Sequence, residues 1–240
     1  MSGTTRWAEP VMGTVVSIHT RTPVPVAALR PALRYLHEVD ARFSPYLADS
    51  EVSRVVAGTL TPAQASAELR LVSRLSERMR AFTGGYFDAY YGGSFDPSGL
   101  VKGWATQRAS LLLRRSGLGA HYVNVGGDIQ TYGGPWRIGI ANPADSATLV
   151  AVVEVTGLAV ATSGTRERGA HVLDPYTGRA SGDLVAVTVV GPSLTRADCY
   201  ATAALAMGAG ARGWLSGLRG YSALTIDHCG QVWRGPGFPG

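Results

Sequence analysis

The predicted fold is organised around the stretch Phe95-Asp96-Pro97-Ser98-Gly99-Leu100-Val101-Lys102-Gly103-Trp104. A predicted turn, a lysine and the start of a predicted helix follow one another in it. Of the 22 lysines and arginines in the chain, Lys102 is the only lysine. A lysine ammonium is a compact point charge, whereas the arginine guanidinium is a planar fork, so the two are not interchangeable at a specific site. Lys102 is therefore either a functional cation or a surface lysine left in an arginine-rich chain.

The residues around Lys102 predict a turn that leads into a helix. Asp96-Pro97 and the glycines are typical turn residues. From Trp104 to Gly117 the apolar spacing indicates a helix that ends at the glycine. An aspartate, glycines and a lysine at a helix start form a suitable place to hold phosphate oxygens.

Composition limits the class of protein. The 240 residues are 45% hydrophobic and only 16% charged, which is enough apolar material for a sizeable core. The net charge of +5 suits an anionic ligand, but the arginines form no runs, so nucleic-acid binding is disfavoured. Cys199 and Cys229 have no metal-site spacing. No apolar run reaches the roughly 18 residues of a membrane span.

Hydrophobic periodicity predicts both helices and strands, and the second half of the chain is richer in strands. Helices are expected over 26–43, 67–82, 195–207 and 211–218, and strands over 11–20, 122–125, 136–141, 149–155, 158–162, 185–190, 222–226 and 231–233. The sum is an α+β fold with mixed or antiparallel sheets and packed helices, in one body or two lobes. Residues 1–10 are expected to be a flexible N-terminus.

Two places carry candidate chemistry. Asp198 and Thr202 are four residues apart on a predicted helix, so both could reach a hard cation such as Mg²⁺. The alternative is an aspartate stabilised by the helix dipole and a buried threonine. His171 precedes the turn Asp174 to Gly178, close to a predicted strand end. A Ser-His-Asp hydrolase using Ser163 is disfavoured, because the Gly-x-Ser-x-Gly elbow is absent.

Several short motifs occur in an order that resembles the FAD:protein FMN transferase family, also called the ApbE family. In chain order they are Met12-Gly13-Thr14, Phe43-Ser44 with Asp49-Ser50, Gly85-Tyr86-Phe87-Asp88, Asp96 through Gly103, Val123-Asn124-Val125-Gly126-Gly127-Asp128, Thr162-Ser163-Gly164, His171 to Gly178, and Ala197-Asp198 to Thr202. The resemblance covers about Met12 to Gly208. It implies a single ApbE-like, T-fold-like catalytic domain over residues 11–240.

The resemblance also implies an activity and a set of site residues. Members transfer the FMN part of FAD to a Thr or Ser hydroxyl of a target flavoprotein, with Mg²⁺ bound, and release AMP. In this chain it implies FAD-binding roles for Met12, Tyr86, Phe87, Asp88, Asp96, Lys102 and Val172, a metal site formed by Gly99, Asp198 and Thr202, and His171 as the catalytic residue. The chemistry of these residue types agrees with that activity. Mg²⁺ and a lysine can neutralise the charge of a pyrophosphate, and a histidine can accept the proton of the incoming hydroxyl.

Two departures from the family pattern keep alternatives open. The segment between Asp88 and Asp96 is much shorter than usual. An FAD pyrophosphatase and a catalytically inactive FAD-binding protein are therefore the alternative functions. The N-terminus as written has no signal peptide or lipoprotein motif, which predicts a cytoplasmic protein. An extracytoplasmic protein is the expectation if a leader preceded Met1.

Overall fold

The computed structural model describes residues 4–165, 172–180 and 182–240. The strands and helices in chain order are β1 (Thr5–Val11), β2 (Thr14–Thr20), α1 (Arg30–Phe43), α2 (Glu51–Val56), α3 (Ala67–Phe82), α4 (Ser98–Arg115), β3 (His121–Val125), β4 (Asp128–Tyr132), β5 (Trp136–Ala141), β6 (Leu149–Val155), β7 (Ala159–Gly164), β8 (Leu184–Gly191), α5 (Leu194–Met207), α6 (Ala211–Ser216), β9 (Ser222–Asp227) and β10 (Val232–Arg234).

Two antiparallel sheets organise the fold. The larger sheet has eight strands in the order β1-β2-β3-β4-β7-β8-β9-β10, and the smaller one is the hairpin of β5 and β6. Every strand pair recorded in both sheets is antiparallel. The predicted α+β class with antiparallel sheets and packed helices is therefore confirmed.

Among the described residues, the buried apolar side chains form three clusters. One cluster joins β2 and β3 to α1, α3 and α4, and includes Ile18, Leu36 and Leu100. A second joins β7, β8 and β9 to α5 and α6. The third lies between the β5–β6 hairpin and the large sheet, around Val153 and Leu224. The helices and the β5–β6 hairpin all bury their apolar faces against the large sheet, so this sheet fixes their positions.

Helices α4 and α5 approach each other closely at a glycine. A Cβ added to Gly103 of α4 would lie 2.9 Å from the carbonyl oxygen of Leu194 and 2.9 Å from Cβ of Asp198, both on α5. Gln107, one turn further along α4, accepts hydrogen bonds from the Thr195 backbone N–H and hydroxyl at 3.0 and 2.9 Å. The first backbone N–H groups of a helix have no partner within the helix. Gln107 supplies an acceptor at the start of α5, whereas the side chain of the N-cap residue Ser193 does not.

In the part of the chain that the structure describes, no helix is both long and apolar enough to cross a membrane. Helix α3 begins and ends where the sequence predicts, at Ala67 and Phe82. Its start is capped by Ser66, whose hydroxyl accepts the N–H of Leu69 at 3.1 Å.

The structure differs from the sequence prediction at two boundaries. Thr5–Val11 is a strand paired along its length with β2, whereas residues 1–10 were expected to be flexible. The apolar residues of that strand alternate only weakly in sequence, and its hairpin pairing with β2 gives it its extended structure. Helix α4 begins at Ser98 instead of Trp104, so Lys102 lies inside the helix instead of before it. Tertiary contact with α5 overrides the low helix propensity of Gly99 and Gly103.

The approach of α4 to α5 can be tested by the substitution Gly103→Ala. The new methyl group would overlap backbone and side-chain atoms of α5, so we expect a loss of about 1–3 kcal/mol in the free energy of unfolding. Gly213→Ala on α6 is the matched control, since no atom lies within 4 Å of its new Cβ. The control should be neutral or slightly stabilising. Urea unfolding curves that coincide for wild type and Gly103→Ala would contradict the close contact.

Candidate active site

A single large cavity brings the predicted site residues together. Its volume is about 1210 Å³, above the roughly 300–1,000 Å³ that holds most small-molecule ligands. The predicted residues that line it are Met12, Tyr86, Phe87, Asp88, Asp96, Gly99, Lys102, Val172, Asp198 and Thr202. The predicted catalytic residue, His171, lies outside the described residues. Residues far apart in sequence therefore share one cavity, and its size is adequate for a dinucleotide.

Two tight hairpin turns form one edge of the cavity. Met12-Gly13 joins β1 to β2, and Gly126-Gly127 joins β3 to β4, with positive φ at all four residues. A Cβ on Gly126 would lie 2.9 Å from the hydroxyl oxygen of Thr14, so the two turns are in contact. Positive φ is unfavourable for a methionine. The Met12 N–H donates to Asp40 Oδ2 at 3.1 Å, which helps to hold this conformation.

Lys102 is paired with a carboxylate to which the sequence analysis assigned no role. Its Nζ lies 2.8 Å from Oδ2 of Asp128, whose side chain is completely buried, whereas the Lys102 side chain is 21% exposed. Oδ1 of Asp128 accepts the backbone N–H of Thr162 at 3.2 Å. Lys102 is thus an oriented cation that lines the cavity. The available sequence signal for Asp128 was its place after Gly126-Gly127, at the start of a strand.

Asp198 adds a second buried carboxylate beside this pair. Its Oδ2 accepts the backbone N–H of Gly103 at 3.0 Å, across the close approach of α4 and α5. Burial, followed by the negative charge of Asp128, raises the pKa of Asp198 well above its usual value, while Lys102 and the Gly103 N–H act in the opposite direction. Two buried carboxylates and one ammonium leave negative charge that a cation or a proton must compensate.

Hydroxyl groups continue this polar end of the cavity. Thr202 Oγ1 lies 3.0 Å from Ser163 Oγ, and the Thr162 and Thr188 hydroxyls lie 2.9 Å apart. Thr202 follows Asp198 by one turn of α5, as the sequence spacing predicted. Ser163 contacts this predicted metal ligand and was not given a role from the sequence.

The donor set at this end fits a hard divalent cation. Asp198 supplies a carboxylate and Thr202 a hydroxyl, and Gly99, in the first turn of α4, also lines the cavity. Oxygen donors of this kind are those that Mg²⁺ prefers. Within residues 4–165, 172–180 and 182–240, no group of three or more His, Cys, Asp or Glu side chains could hold a metal ion. Mg²⁺ is usually bound by one or two carboxylates together with water and substrate phosphate oxygens, and the Asp198 carboxylate and Thr202 hydroxyl fit that pattern.

The other predicted residues include an aromatic pair and two aspartates. Tyr86 and Phe87 line the cavity, and the Phe87 ring lies against Gly99, where a Cβ would be 3.3 Å away. Asp88 is paired with Arg80, with Nε and Oδ2 3.1 Å apart. Asp96 Oδ1 accepts the N–H of Ser98 at 2.9 Å, which holds the turn before α4. The cavity thus has an apolar aromatic wall and a charged end, as expected for a ligand with rings and phosphates.

Comparison with known proteins identifies a matching family and several similar sequences. The model of the ApbE family matches residues 12–95 and 92–225. FAD:protein FMN transferases from Escherichia coli (strain K12) and Salmonella typhimurium are 34% and 33% identical over 128 residues. These alignments cover 47% of this chain and 36% and 37% of the relatives, so the matched part is about a third of their length.

Solved structures share the whole fold. The flavin transferase ApbE from Vibrio cholerae superposes with a TM-score of 0.84 at 24% sequence identity, covering 98% of both chains. The ApbE protein from Thermotoga maritima superposes with a TM-score of 0.85 at 20% identity, covering 98% of this chain and 97% of the other. At these identities the superpositions establish the fold, and the family match rests on the sequence.

The Lys102–Asp128 ion pair predicts energetic coupling between two residues. Lys102→Met leaves a buried carboxylate without its cation, which can cost up to about 3–5 kcal/mol of folding free energy. Asp128→Asn removes the charge with little change of shape. Asp128→Asn should therefore lower the free energy of unfolding less in the Lys102→Met background than in the wild type, or even raise it.

Urea unfolding of the four proteins in this double-mutant cycle measures the coupling. The more exposed pair Arg212–Asp227, substituted to Met and Asn, is the matched control and should show much weaker coupling. Additive effects of Lys102→Met and Asp128→Asn would mean that the pair contributes nothing.

Proposed function

Because the chain belongs to the ApbE family, we propose that it transfers the FMN part of FAD to a Thr or Ser hydroxyl of a target flavoprotein, and that Mg²⁺ takes part and AMP is released. The observation that carries the proposal is the cavity in which Lys102, Asp198 and Thr202 lie together with the aromatic residues Tyr86 and Phe87. A cavity of this size with one charged end and one aromatic wall suits FAD, which combines a pyrophosphate with flat rings.

The polar end supports binding of the pyrophosphate. The Lys102 ammonium lines the cavity and is held by Asp128, so it is oriented before a ligand arrives. Asp198, Thr202 and the Gly99 carbonyl are the proposed ligands of Mg²⁺. When bound, Mg²⁺ would supply positive charge against the charge that develops on the phosphate oxygens. Met12, Asp88, Asp96 and Val172 would contact the nucleotide from the other sides of the cavity.

The proposed reaction is a phosphoryl-type displacement. The hydroxyl oxygen of the acceptor forms a bond to the phosphorus of the FMN phosphate. The bond between that phosphorus and the bridging oxygen breaks, and AMP leaves with the bridging oxygen. His171 takes the acceptor proton as general base. Lys102 stabilises charge on the pyrophosphate oxygens, so its positioning by Asp128 serves the transition state as well as binding.

Incubation of the protein with FAD, Mg²⁺ and a candidate flavoprotein tests this function directly. AMP release together with a flavin-labelled acceptor that survives denaturation is the expected result. AMP with free FMN would indicate the pyrophosphatase alternative, in which water is the acceptor. Bound FAD without either product would indicate a binding protein.

Substitution of the proposed metal ligand should separate binding from turnover. We expect Asp198→Ala to lower the rate of AMP formation by orders of magnitude and to weaken FAD binding less, because neutral oxygens alone hold Mg²⁺ poorly. Glu38→Ala is the matched control, since it removes an exposed carboxylate on α1. Its rate should equal that of wild type. Normal turnover by Asp198→Ala, after metal removal and resupply of Mg²⁺, would show that Asp198 is not a metal ligand.

His171→Ala should keep FAD binding and lose transfer. Removal of a general base typically lowers a rate by about 10²–10⁴-fold. Single-turnover AMP formation at saturating FAD reports the chemical step, and flavin fluorescence reports binding. A variant with the wild-type rate would exclude His171 as the base, and an unfolded variant, seen by circular dichroism, would assign it a structural role.

A further inference from the structure

Two loops that line the cavity touch each other through tyrosines and glycines. The first loop, residues 84–93, follows α3 and carries Tyr86, Phe87, Asp88 and Tyr91. The second, residues 172–178, contributes Val172, Leu173 and Pro175 to the same cavity. A ligand in the cavity would meet both loops. Their relative position therefore sets the width of the space it enters.

Tyr176 of the second loop is held on the first loop by its ring and its hydroxyl. Its ring makes an edge contact with Tyr86, with centroids 5.1 Å apart and planes at 63°. Its hydroxyl donates to the carbonyl oxygen of Gly84. A Cβ on Gly85 would lie 3.0 Å from this hydroxyl, so glycine leaves the room that Tyr176 needs.

A reciprocal contact runs in the opposite direction. Tyr91 of the first loop reaches Gly178 of the second loop, where a Cβ would lie 3.4 Å from the Tyr91 hydroxyl. Each loop thus places one tyrosine beside a glycine of the other. We call Tyr91, Tyr176 and their glycine partners Gly84, Gly85 and Gly178 the tyrosine clasp.

The position of Tyr176 indicates that it acts through its neighbours. Its side chain is 67% exposed. It lines a separate, outer cavity of about 540 Å³, whereas the adjacent Pro175 lines the main cavity. An exposed tyrosine that keeps a defined ring contact and hydrogen bond is not explained by core formation. Its contacts are instead made with the loop that presents Tyr86 to the cavity.

The loop that carries Tyr91 is also held by hydrogen bonds outside the tyrosine clasp. The Asp96 N–H donates to the Ala89 carbonyl at 2.8 Å, and Tyr90 is anchored to Ser73 of α3 through hydroxyls 2.9 Å apart. The short segment between Asp88 and Asp96 is therefore tied to α3 on one side and to the second loop on the other. A short loop with two anchors has few alternative conformations.

We propose that Tyr176 is a positioning residue for the flavin nucleotide, which it serves by holding the Tyr86 loop against residues 172–178. This inference rests on the proposed function, since it takes FAD as the ligand of the main cavity. A wall that is already in place removes part of the ordering cost of binding. Loss of the clasp should therefore accelerate release of the ligand while the global stability changes little.

The test compares three variants of the full chain. Tyr176→Phe removes the hydroxyl and keeps the ring, and Tyr176→Ala removes both. Tyr122→Phe is the matched control, because it removes the hydroxyl of a tyrosine in β3 that also packs against aromatic rings, but outside both loops. Two readouts are used: hydrogen exchange of the amides of residues 84–91 without FAD, and dissociation of FAD followed by stopped-flow flavin fluorescence.

We expect graded effects on dissociation. Tyr176→Phe should release FAD about three- to tenfold faster, as is typical for the loss of one hydrogen bond. Tyr176→Ala should release it roughly ten- to a hundredfold faster, because the aromatic contact is lost as well. Exchange at residues 84–91 should accelerate in the same order. Tyr122→Phe should stay within about twofold of wild type in dissociation.

Failure of the inference and failure of the proposed function give different results. If Tyr176→Ala matches wild type in exchange and in FAD dissociation, the clasp does not position the loop. If Tyr176→Ala does not fold, Tyr176→Phe carries the same comparison with a smaller expected effect. If wild type itself binds no FAD, the proposed function is wrong, and hydrogen exchange still decides whether Tyr176 holds the two loops together.

Discussion

The buried charge group formed by Lys102, Asp128 and Asp198 is the constraint on which the site depends. Each residue comes from a different element: helix α4, strand β4 and helix α5. Asp128 is fully buried and Asp198 is 2% exposed. Carboxylates are rarely buried to this degree unless they are paired. One lysine for two carboxylates leaves an excess of negative charge, which is compatible with folding only if a proton or a cation compensates it.

The charge group accounts for the residue types found next to it. Gly103 has no side chain, so α5 can come close enough for Asp198 to accept its N–H. Gln107 then satisfies the start of α5 from the same face of α4. The strained turn at Met12 forms another edge of the same cavity. Backbone strain and buried charge both lower stability, and their location around a single cavity is typical of a functional site.

Much of this arrangement could be predicted from local sequence, and the remainder depends on non-local contacts. The single lysine in an arginine-rich chain pointed to Lys102, and the spacing of Asp198 and Thr202 placed them on one face of a helix. The partner of Lys102 could not be identified in this way, because Gly-Gly-Asp is also an ordinary turn sequence. Asp128 becomes significant only when β4 lies beside α4.

Pairing and packing between elements explain the two boundaries that the sequence prediction misplaced. Pairing with β2 makes Thr5–Val11 a strand, although its own residues alternate only weakly. Contact with α5 extends α4 back to Ser98 through two glycines that would otherwise favour a loop. The tyrosine clasp depends on Gly85 and Gly178, which are ordinary turn glycines in the sequence. That these glycines make room for the tyrosines of the other loop follows only from the packing of the two loops in the structure.

The most direct measurement of the central claim is calorimetric titration of FAD into wild type and Asp198→Asn, each with Mg²⁺ and with a chelator. We predict one FAD per chain, bound more tightly by wild type when Mg²⁺ is present, since a cation at the charge group and the pyrophosphate should stabilise each other. In Asp198→Asn the effect of Mg²⁺ on FAD affinity should largely disappear. Absence of FAD binding, or an equal effect of Mg²⁺ on both proteins, would contradict the account.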